Sequence, residues 1–251
     1  MKTGLVLSGG GARGFAHVGV VRALQEKNIS WDMISGTSAG AMIGAFLADG
    51  FSPAEILEVF REYEQLGIFN FLSWRPGLLS LDKLKRLLET NLRSKTFEQL
   101  NMPFFVTATD YDSGKQKVFS SGDLVQPILA ATSIPLLFPA VYIEGIPYAD
   151  GGISSNLPVE PLEGRVDKLI GVYVNPHFGY SEKESSFEKV DRTMHMMIRY
   201  NMEVNSKKCD LYIEPPDLKN YGMFDSKKTD EIVSIGYEYA RSIVKESANL
   251  F

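Results

Sequence analysis

A G-x-S-x-G pattern occupies Gly36-Thr37-Ser38-Ala39-Gly40. It follows the short apolar segment Trp31–Ile34 and precedes a run of small and apolar residues that ends at Ala48. Glycines two residues before and after the serine allow a turn that is too sharp for larger side chains. The pattern predicts a strand, a tight turn and a helix, with the Ser38 hydroxyl exposed as a candidate nucleophile. A plain glycine-serine turn that caps a helix has the same local sequence, so the partners of Ser38 must distinguish the two interpretations.

A second glycine-rich stretch lies near the N-terminus, where the apolar residues Gly4–Ser8 predict a buried first strand. The strand is followed by Gly9-Gly10-Gly11-Ala12-Arg13-Gly14 and by a predicted helix to about Lys27. The free N–H groups of such a loop and the positive end of the helix dipole favour negative charge. If the first two strands are neighbours, this loop lies beside Ser38 and can supply the donors of an oxyanion hole.

The same loop matches the G-x-G-x-x-G pattern of dinucleotide-binding proteins, which makes nucleotide binding an alternative. In that fold, the second strand ends in an acidic residue that binds ribose. Here Asp32 precedes the second predicted strand, and the strand ends in the Ser38 turn. The order of these residues disfavours the nucleotide interpretation.

Two arrangements could provide a base for Ser38. Asp150 lies in a third glycine turn, Asp150-Gly151-Gly152, and could take the serine proton directly, although an aspartate in a turn can also simply bond its own backbone. Of the three histidines, His17 and His195 are predicted to be structural, whereas His177 follows a late strand. Ser38, Asp150 and His177 occur in the chain order of an α/β-hydrolase triad, so a triad and a Ser-Asp pair both stay open.

These three glycine turns, in this order, resemble the signatures of the patatin-like phospholipase family. The resemblance covers residues 4–158, and Asn156 and Pro158 follow the aspartate turn as is common in that family. It implies that Ser38 is the acylated nucleophile, that Asp150 is the base of a Ser-Asp dyad, and that the loop from Gly9 is the oxyanion hole. The implied oxyanion-hole residues are Gly9, Gly10, Gly11, Ala12 and Arg13. The supporting motif glycines are Gly14, Gly36, Gly40, Gly151 and Gly152.

The activity implied by the resemblance is that of a serine esterase or lipid acyl hydrolase, which transfers a fatty-acyl group to water without a metal ion or an organic cofactor. An aspartate at its ordinary pKa of about 3.9 is a weak base for an alcohol, so this chemistry predicts that Asp150 is at least partly desolvated. A non-catalytic protein that binds lipids or acyl groups in the same pocket is the alternative from another functional class.

Length and composition indicate one globular domain spanning residues 1–251. The formal net charge is −5, which argues against nucleic acid as the main partner and leaves a lipid or acyl ester as the expected one. The lone Cys209, the lack of a signal-peptide pattern and the lack of a spanning apolar segment predict a cytoplasmic protein whose membrane contact is peripheral at most. The oligomeric state is not predicted.

The predicted fold is a three-layer α/β/α sandwich with a central, mostly parallel, mixed sheet. The continuous apolar run Leu169–Val174 is typical of a strand buried on both faces. Segments 103–109 and 117–120 predict a hairpin, which makes part of the sheet antiparallel. Helices are predicted after the capping box at Ser52, at 81–92, 124–132, 187–204 and 230–245, with a helical C-terminal part from about residue 180.

The segment Leu66–Ser80 is unusually apolar for a connection between two helices. Such a segment either folds back into the core or forms a lid beside an apolar substrate site. In the second case it is the candidate for peripheral contact with a lipid surface.

Overall fold

The computed structural model describes residues 1–65, 81–177, 189, 192–193, 196, 199, 202–223 and 225–247. Within these residues, eight strands form one sheet. The strands are β1 (Thr3–Leu7), β2 (Met33–Gly36), β3 (Phe104–Asp110), β4 (Gln116–Phe119), β5 (Val141–Ile143), β6 (Ile146–Asp150), β7 (Lys168–Val172) and β8 (Leu211–Ile213). They follow the order β5-β6-β3-β2-β1-β7-β8, with β4 paired to β3 outside this path.

The helices of the described residues are α1 (Phe15–Glu26), α2 (Ala39–Ala48), α3 (Pro53–Gln65), α4 (Asp82–Asn91), α5 (Val125–Ala131) and α6 (Thr229–Ser247). The predicted capping box at the start of α3 is present, because the Glu55 carboxylate accepts the Ser52 N–H at 2.7 Å and the Ser52 hydroxyl accepts the Glu55 N–H at 3.3 Å. Every described residue of the helix predicted at 187–204 is helical, and helix continues over 202–206. His195 and the segment Leu66–Ser80 lie outside the described residues.

The sheet is mixed and mostly parallel, as predicted. Strands β8, β7, β1, β2 and β3 run parallel, whereas β4 and β6 pair with β3 in the antiparallel direction. Leu7 pairs with Gly36, and Gly36 pairs with Val106, so β1 and β2 end side by side at one edge of the sheet. On the far side of β3, Asp150 pairs with Ala108. This register brings the loops after β1 and β2 and the end of β6 to the same edge.

Two apolar cores lie on opposite faces of the sheet because side chains alternate along each strand. On β1, Leu5 and Leu7 belong to the larger core, which α1, α2, α5 and α6 cover, whereas Val6 belongs to the smaller core. The smaller core also contains Leu157, Leu162 and Met202. Helical structure on both faces of a mixed sheet gives the predicted three layers.

Helices α1 and α6 pack with their backbones in close contact. A Cβ atom on Gly236 would lie 2.3 Å from the carbonyl oxygen of Ala16, and one on Gly19 would lie 2.0 Å from that of Val233. Only glycine fits at either position, and the sequence gives no local sign of this pairing. None of the helices among the described residues combines the length and the apolarity needed to cross a membrane.

Candidate active site

Ser38 occupies the sharp turn between β2 and α2. Its backbone has φ 50° and ψ −126°, a conformation that residues other than glycine rarely adopt. The Ser38 N–H donates to the carbonyl of Ala131 at 3.0 Å, and its own carbonyl accepts the first N–H groups of the helix. The flanking glycines are required by close contacts, since a Cβ on Gly36 would lie 2.5 Å from the oxygen of Gly40. The turn is therefore strained at its serine, a feature that clusters at functional sites.

Asp150 is the last residue of β6 and is only 6% exposed. Its oxygen Oδ1 accepts the N–H of Gly152 at 2.8 Å, which closes the aspartate turn. The second oxygen, Oδ2, is buried without a hydrogen-bond partner among the described residues. Asp150 is also fixed through its backbone, because its N–H donates to the carbonyl of Ser133 at 2.9 Å. A carboxylate with one unengaged oxygen is free to accept a proton.

Burial raises the pKa of Asp150 from 3.8 to about 6, and the Ser38 hydroxyl and the Gly152 N–H oppose this rise. The Ser38 hydroxyl acts on this carboxylate, but Oδ2 has no hydrogen-bond partner among the described residues. Catalytic hydrogen bonds are often long before substrate binds. Asp150 is thus desolvated, as predicted from the sequence, and this makes its carboxylate a stronger base than an exposed one.

The glycine loop after β1 contacts the serine turn directly. A Cβ on Gly9 would lie 2.9 Å from the Cβ of Ser38 and 2.6 Å from Oδ1 of Asn156. The Gly9 N–H donates to the carbonyl of Asn156 at 3.3 Å, so the loop is held between Ser38 and the segment that follows the aspartate turn. Absence of a side chain at Gly9 is what permits this approach.

The amides of the loop differ in their availability. The Ala12 N–H donates to the carbonyl of Met223 at 2.8 Å, so this amide is engaged, contrary to the sequence prediction. Among the described residues, the N–H groups of Gly10 and Gly11 have no acceptor. Arg13 is 1% exposed, so it is neither a surface residue nor part of the cavity lining. Of the predicted donors, Gly10 and Gly11 are the two that remain open.

Two buried side chains hold the peptide between Gly9 and Gly10, and we call Ser8 and Asn175 the Gly9 clamp. The Gly9 carbonyl accepts hydrogen bonds from the Ser8 hydroxyl at 3.0 Å and from Nδ2 of Asn175 at 2.6 Å. In a trans peptide the C=O and the N–H point in opposite directions, so the Gly10 N–H points away from the clamp. Asn175 directly follows the apolar run of β7, but the sequence shows no contact between this position and the loop.

His17 is not available as a base. It is fully buried on α1, and burial lowers its pKa to about 4, so the ring is neutral near pH 7. Its Nε2 lies 2.8 Å from the carbonyl of Ser8, which requires Nε2 to carry the proton and donate it. His17 thus fixes the residue that precedes the glycine loop.

Ser38 and Asp150 line one cavity of about 60 Å³. The other lining residues are Gly9, Gly10, Gly11, Ile134, Pro135, Gly152, Ile153, Asn156, Asn175 and Met223. His177 is exposed and lines a different cavity, together with Tyr173, Arg192 and Arg199. The structure therefore brings the predicted dyad and loop together and leaves His177 apart from them.

The remaining motif residues support the turns without lining the cavity. Gly14, Gly36, Gly40 and Gly151 are buried. Asp32 lies at the opposite edge of the sheet, where its carboxylate accepts the Thr3 N–H at 2.7 Å. It is therefore not placed to bind the ribose of a nucleotide at the glycine loop. No group of three or more metal-ligating side chains occurs within the described part of the chain.

The sequence of this chain is similar to those of known proteins. A family model described as patatin-like phospholipase matches residues 5–163. Similar curated proteins include lysophospholipase NTE1 of Kluyveromyces lactis, 26% identical over 96% of this chain and 19% of that protein. An uncharacterized NTE family protein of Mycobacterium tuberculosis is 33% identical over 69% of this chain and 49% of that protein. The chain thus spans between a fifth and a half of the length of these relatives.

Among solved structures, VipD from Legionella pneumophila has the same fold, with a TM-score of 0.58 and 16% identity over 98% of this chain and 67% of VipD. The family model covers more than half of the chain and contains all three glycine turns. The chain belongs to the patatin-like phospholipase family.

Proposed function

We propose that the protein is a serine lipid acyl hydrolase that cleaves fatty-acyl esters with Ser38 as nucleophile and Asp150 as base. One observation carries the proposal: Ser38, the buried Asp150 carboxylate and the open amides of Gly10 and Gly11 meet in a single cavity. A nucleophile, a base and oxyanion donors are the three elements that acyl transfer needs.

In the first step, Ser38 Oγ attacks the ester carbonyl while its proton passes to Asp150 Oδ2. The carbonyl oxygen becomes an oxyanion, and the N–H groups of Gly10 and Gly11 donate to it. Collapse of this intermediate breaks the bond to the alcohol, which leaves with the proton from Asp150. Ser38 then carries the acyl group as an ester.

In the second step, Asp150 takes a proton from a water molecule that attacks the acyl carbonyl. The same amides stabilise the second oxyanion, and its collapse releases the fatty acid and returns the proton to Ser38. A pKa of about 6 suits both roles, because the carboxylate is mostly ionised at pH 7 and still accepts a proton more readily than an ordinary aspartate. The two steps together consume one ester and one water molecule and release one alcohol and one fatty acid.

The Gly9 clamp prepares the oxyanion hole before substrate arrives. Because Ser8 and Asn175 hold the Gly9 carbonyl, the Gly10 N–H does not have to reorient when the oxyanion forms. Preorganised donors of this kind are worth more than donors that must rotate into place. The role of the clamp is therefore to position the Gly10 N–H through the Gly9 carbonyl.

Two alternatives make different predictions. An esterase with a Ser-Asp-His triad would need His177 beside Ser38, whereas His177 is exposed in a separate cavity. A non-catalytic lipid-binding protein would not need a strained serine beside a desolvated carboxylate. The cytoplasmic location predicted from the sequence stays a prediction.

The test is hydrolysis of p-nitrophenyl esters of increasing chain length by the wild type and by Ser38→Ala, Asp150→Asn and His177→Ala. We expect both dyad variants to lose at least about a thousandfold in kcat, as serine hydrolases do without their nucleophile or base. His177→Ala is the matched control and should stay within about twofold, since the ring lies outside the cavity. Loss of activity in His177→Ala would support the triad instead. Absence of turnover in the wild type would favour the binding protein.

A further inference from the structure

The turn Ile134-Pro135-Leu136-Leu137 breaks a local rule of backbone conformation. The Leu137 N–H donates to the carbonyl of Ile134 at 3.2 Å, with proline in the second position and a φ of 72° at Leu136 in the third. This is the pattern of a type II turn, whose third position is normally glycine or asparagine. A leucine at positive φ is strained by its Cβ atom.

The fold gives this leucine no compensating burial. Leu136 is 68% exposed, so its side chain contributes little to either core. A strained residue that gains nothing from packing indicates a functional requirement rather than a structural one.

The position of Leu136 relates it to the catalytic cavity. Its neighbours Ile134 and Pro135 line that cavity, and so does Ile153, which is 40% exposed. We call Ile134, Pro135, Leu136 and Ile153 the apolar rim. The turn is also fixed to the dyad, because the carbonyl of Ser133 accepts the Asp150 N–H and the Ser133 hydroxyl donates to the carbonyl of Pro139. Leu136 therefore projects from a segment that is bonded to the aspartate.

We propose that Leu136 inserts into the surface of a lipid aggregate and docks the apolar rim, and with it the mouth of the cavity, onto that surface. The proposal rests on the proposed function, since the substrate of a lipid acyl hydrolase resides in such a surface. Ile134, Pro135 and Ile153 line the cavity beside Ser38, so an acyl chain that extends from an ester held there meets apolar side chains at the rim. The net charge of −5 gives no overall attraction to anionic lipid, which favours an apolar docking contact.

The test measures binding to phosphatidylcholine vesicles by sedimentation, in a Ser38→Ala background so that no lipid is hydrolysed. Leu136→Asn is the informative variant, because asparagine tolerates positive φ and removes the apolar side chain. We expect vesicle binding to weaken about tenfold, as for the loss of one partly inserted leucine. The melting temperature should stay the same or rise, because backbone strain is relieved. Val204→Asn is the matched control, since Val204 is 48% exposed in the helical segment 202–206.

Vesicle binding that is unchanged in Leu136→Asn, or equally weakened in Val204→Asn, would overturn the proposal. So would failure of the parent protein to bind vesicles. If Leu136→Asn instead converted a dimer to a monomer by sedimentation equilibrium, the side chain would contact a second copy of the chain. Hydrolysis of a dissolved short-chain ester by the protein with Ser38 intact tests the proposed function separately. Failure of this hydrolysis would refute the proposed function, whereas unchanged vesicle binding in Leu136→Asn would refute only the role of Leu136.

Discussion

Replacement of Asp150 by asparagine should stabilise the protein at neutral pH while it abolishes hydrolysis. Burial raises the pKa of Asp150 from 3.8 to about 6. Between these values the folded protein retains a proton that the unfolded chain has released, so the free energy of unfolding falls as pH rises through this window. Above about pH 6 the full cost of the buried charge is present, and roughly two pKa units correspond to about 3 kcal/mol. Asparagine keeps the shape and the acceptor for the Gly152 N–H but carries no charge.

The measurement is urea unfolding of the wild type and Asp150→Asn at pH 5 and pH 8. At pH 8 the variant should be more stable by up to about 3 kcal/mol, or about 6–12 °C in melting temperature for a chain of this size. At pH 5 about half of that difference should remain, because Asp150 of the wild type is then largely protonated in the folded protein and largely ionised in the unfolded chain. Other titrating groups cancel in the comparison. A stability difference that does not grow from pH 5 to pH 8 would show that the Asp150 charge is not buried at a cost.

Three further predictions concern the base, the clamp and the helix pair. The pH profile of kcat/KM should rise to a plateau with a midpoint near the pKa of Asp150, about 6, whereas a midpoint near 4 would indicate a solvated carboxylate. Asn175→Asp should lower kcat by about tenfold or more with a smaller change in KM, because a carboxylate repels the Gly9 carbonyl and frees the Gly10 N–H to reorient. Equal effects on kcat and KM, or a loss of activity explained by unfolding, would count against the positioning role of the clamp. Gly236→Ala should lower the melting temperature despite the better helix propensity of alanine, since its Cβ would lie 2.3 Å from the Ala16 carbonyl. The control is Gly222→Ala, where the nearest atom lies 3.6 Å away and little change in melting temperature is expected.

Features that depend on short stretches of chain could be predicted from the sequence. The three glycine turns could be located from the sequence, because each needs a backbone shape that only particular residues allow locally. The capping box at Ser52 and the hairpin between β3 and β4 follow in the same way from neighbouring residues. The proposed chemistry also predicted that the base aspartate is desolvated, and Asp150 is buried in the structure.

Features that depend on long-range register could not be predicted. The Asn175 side chain meets the Gly9 carbonyl only because β7 and β1 are adjacent in the sheet, 166 residues apart in the chain. Engagement of the Ala12 amide by Met223 arises from a late loop that carries no recognisable motif. The chain order of Ser38, Asp150 and His177 left a triad open for the same reason, since chain order does not fix which loops meet in space, and His177 lines a different cavity from Ser38.

The three energetically unfavourable features near the site are connected by one short segment, residues 131–137. Ser38, with its rare backbone angles, donates its N–H to the carbonyl of Ala131. Asp150, with its buried charge, donates its N–H to the carbonyl of Ser133. Leu136, with its positive φ, lies in the turn that begins at Ile134. Strain persists only where surrounding bonds over-determine the structure. Because this segment bonds to the nucleophile and the base and carries the exposed leucine, the orientation of the rim is fixed relative to the reacting groups, so docking on a surface also orients the dyad toward the ester.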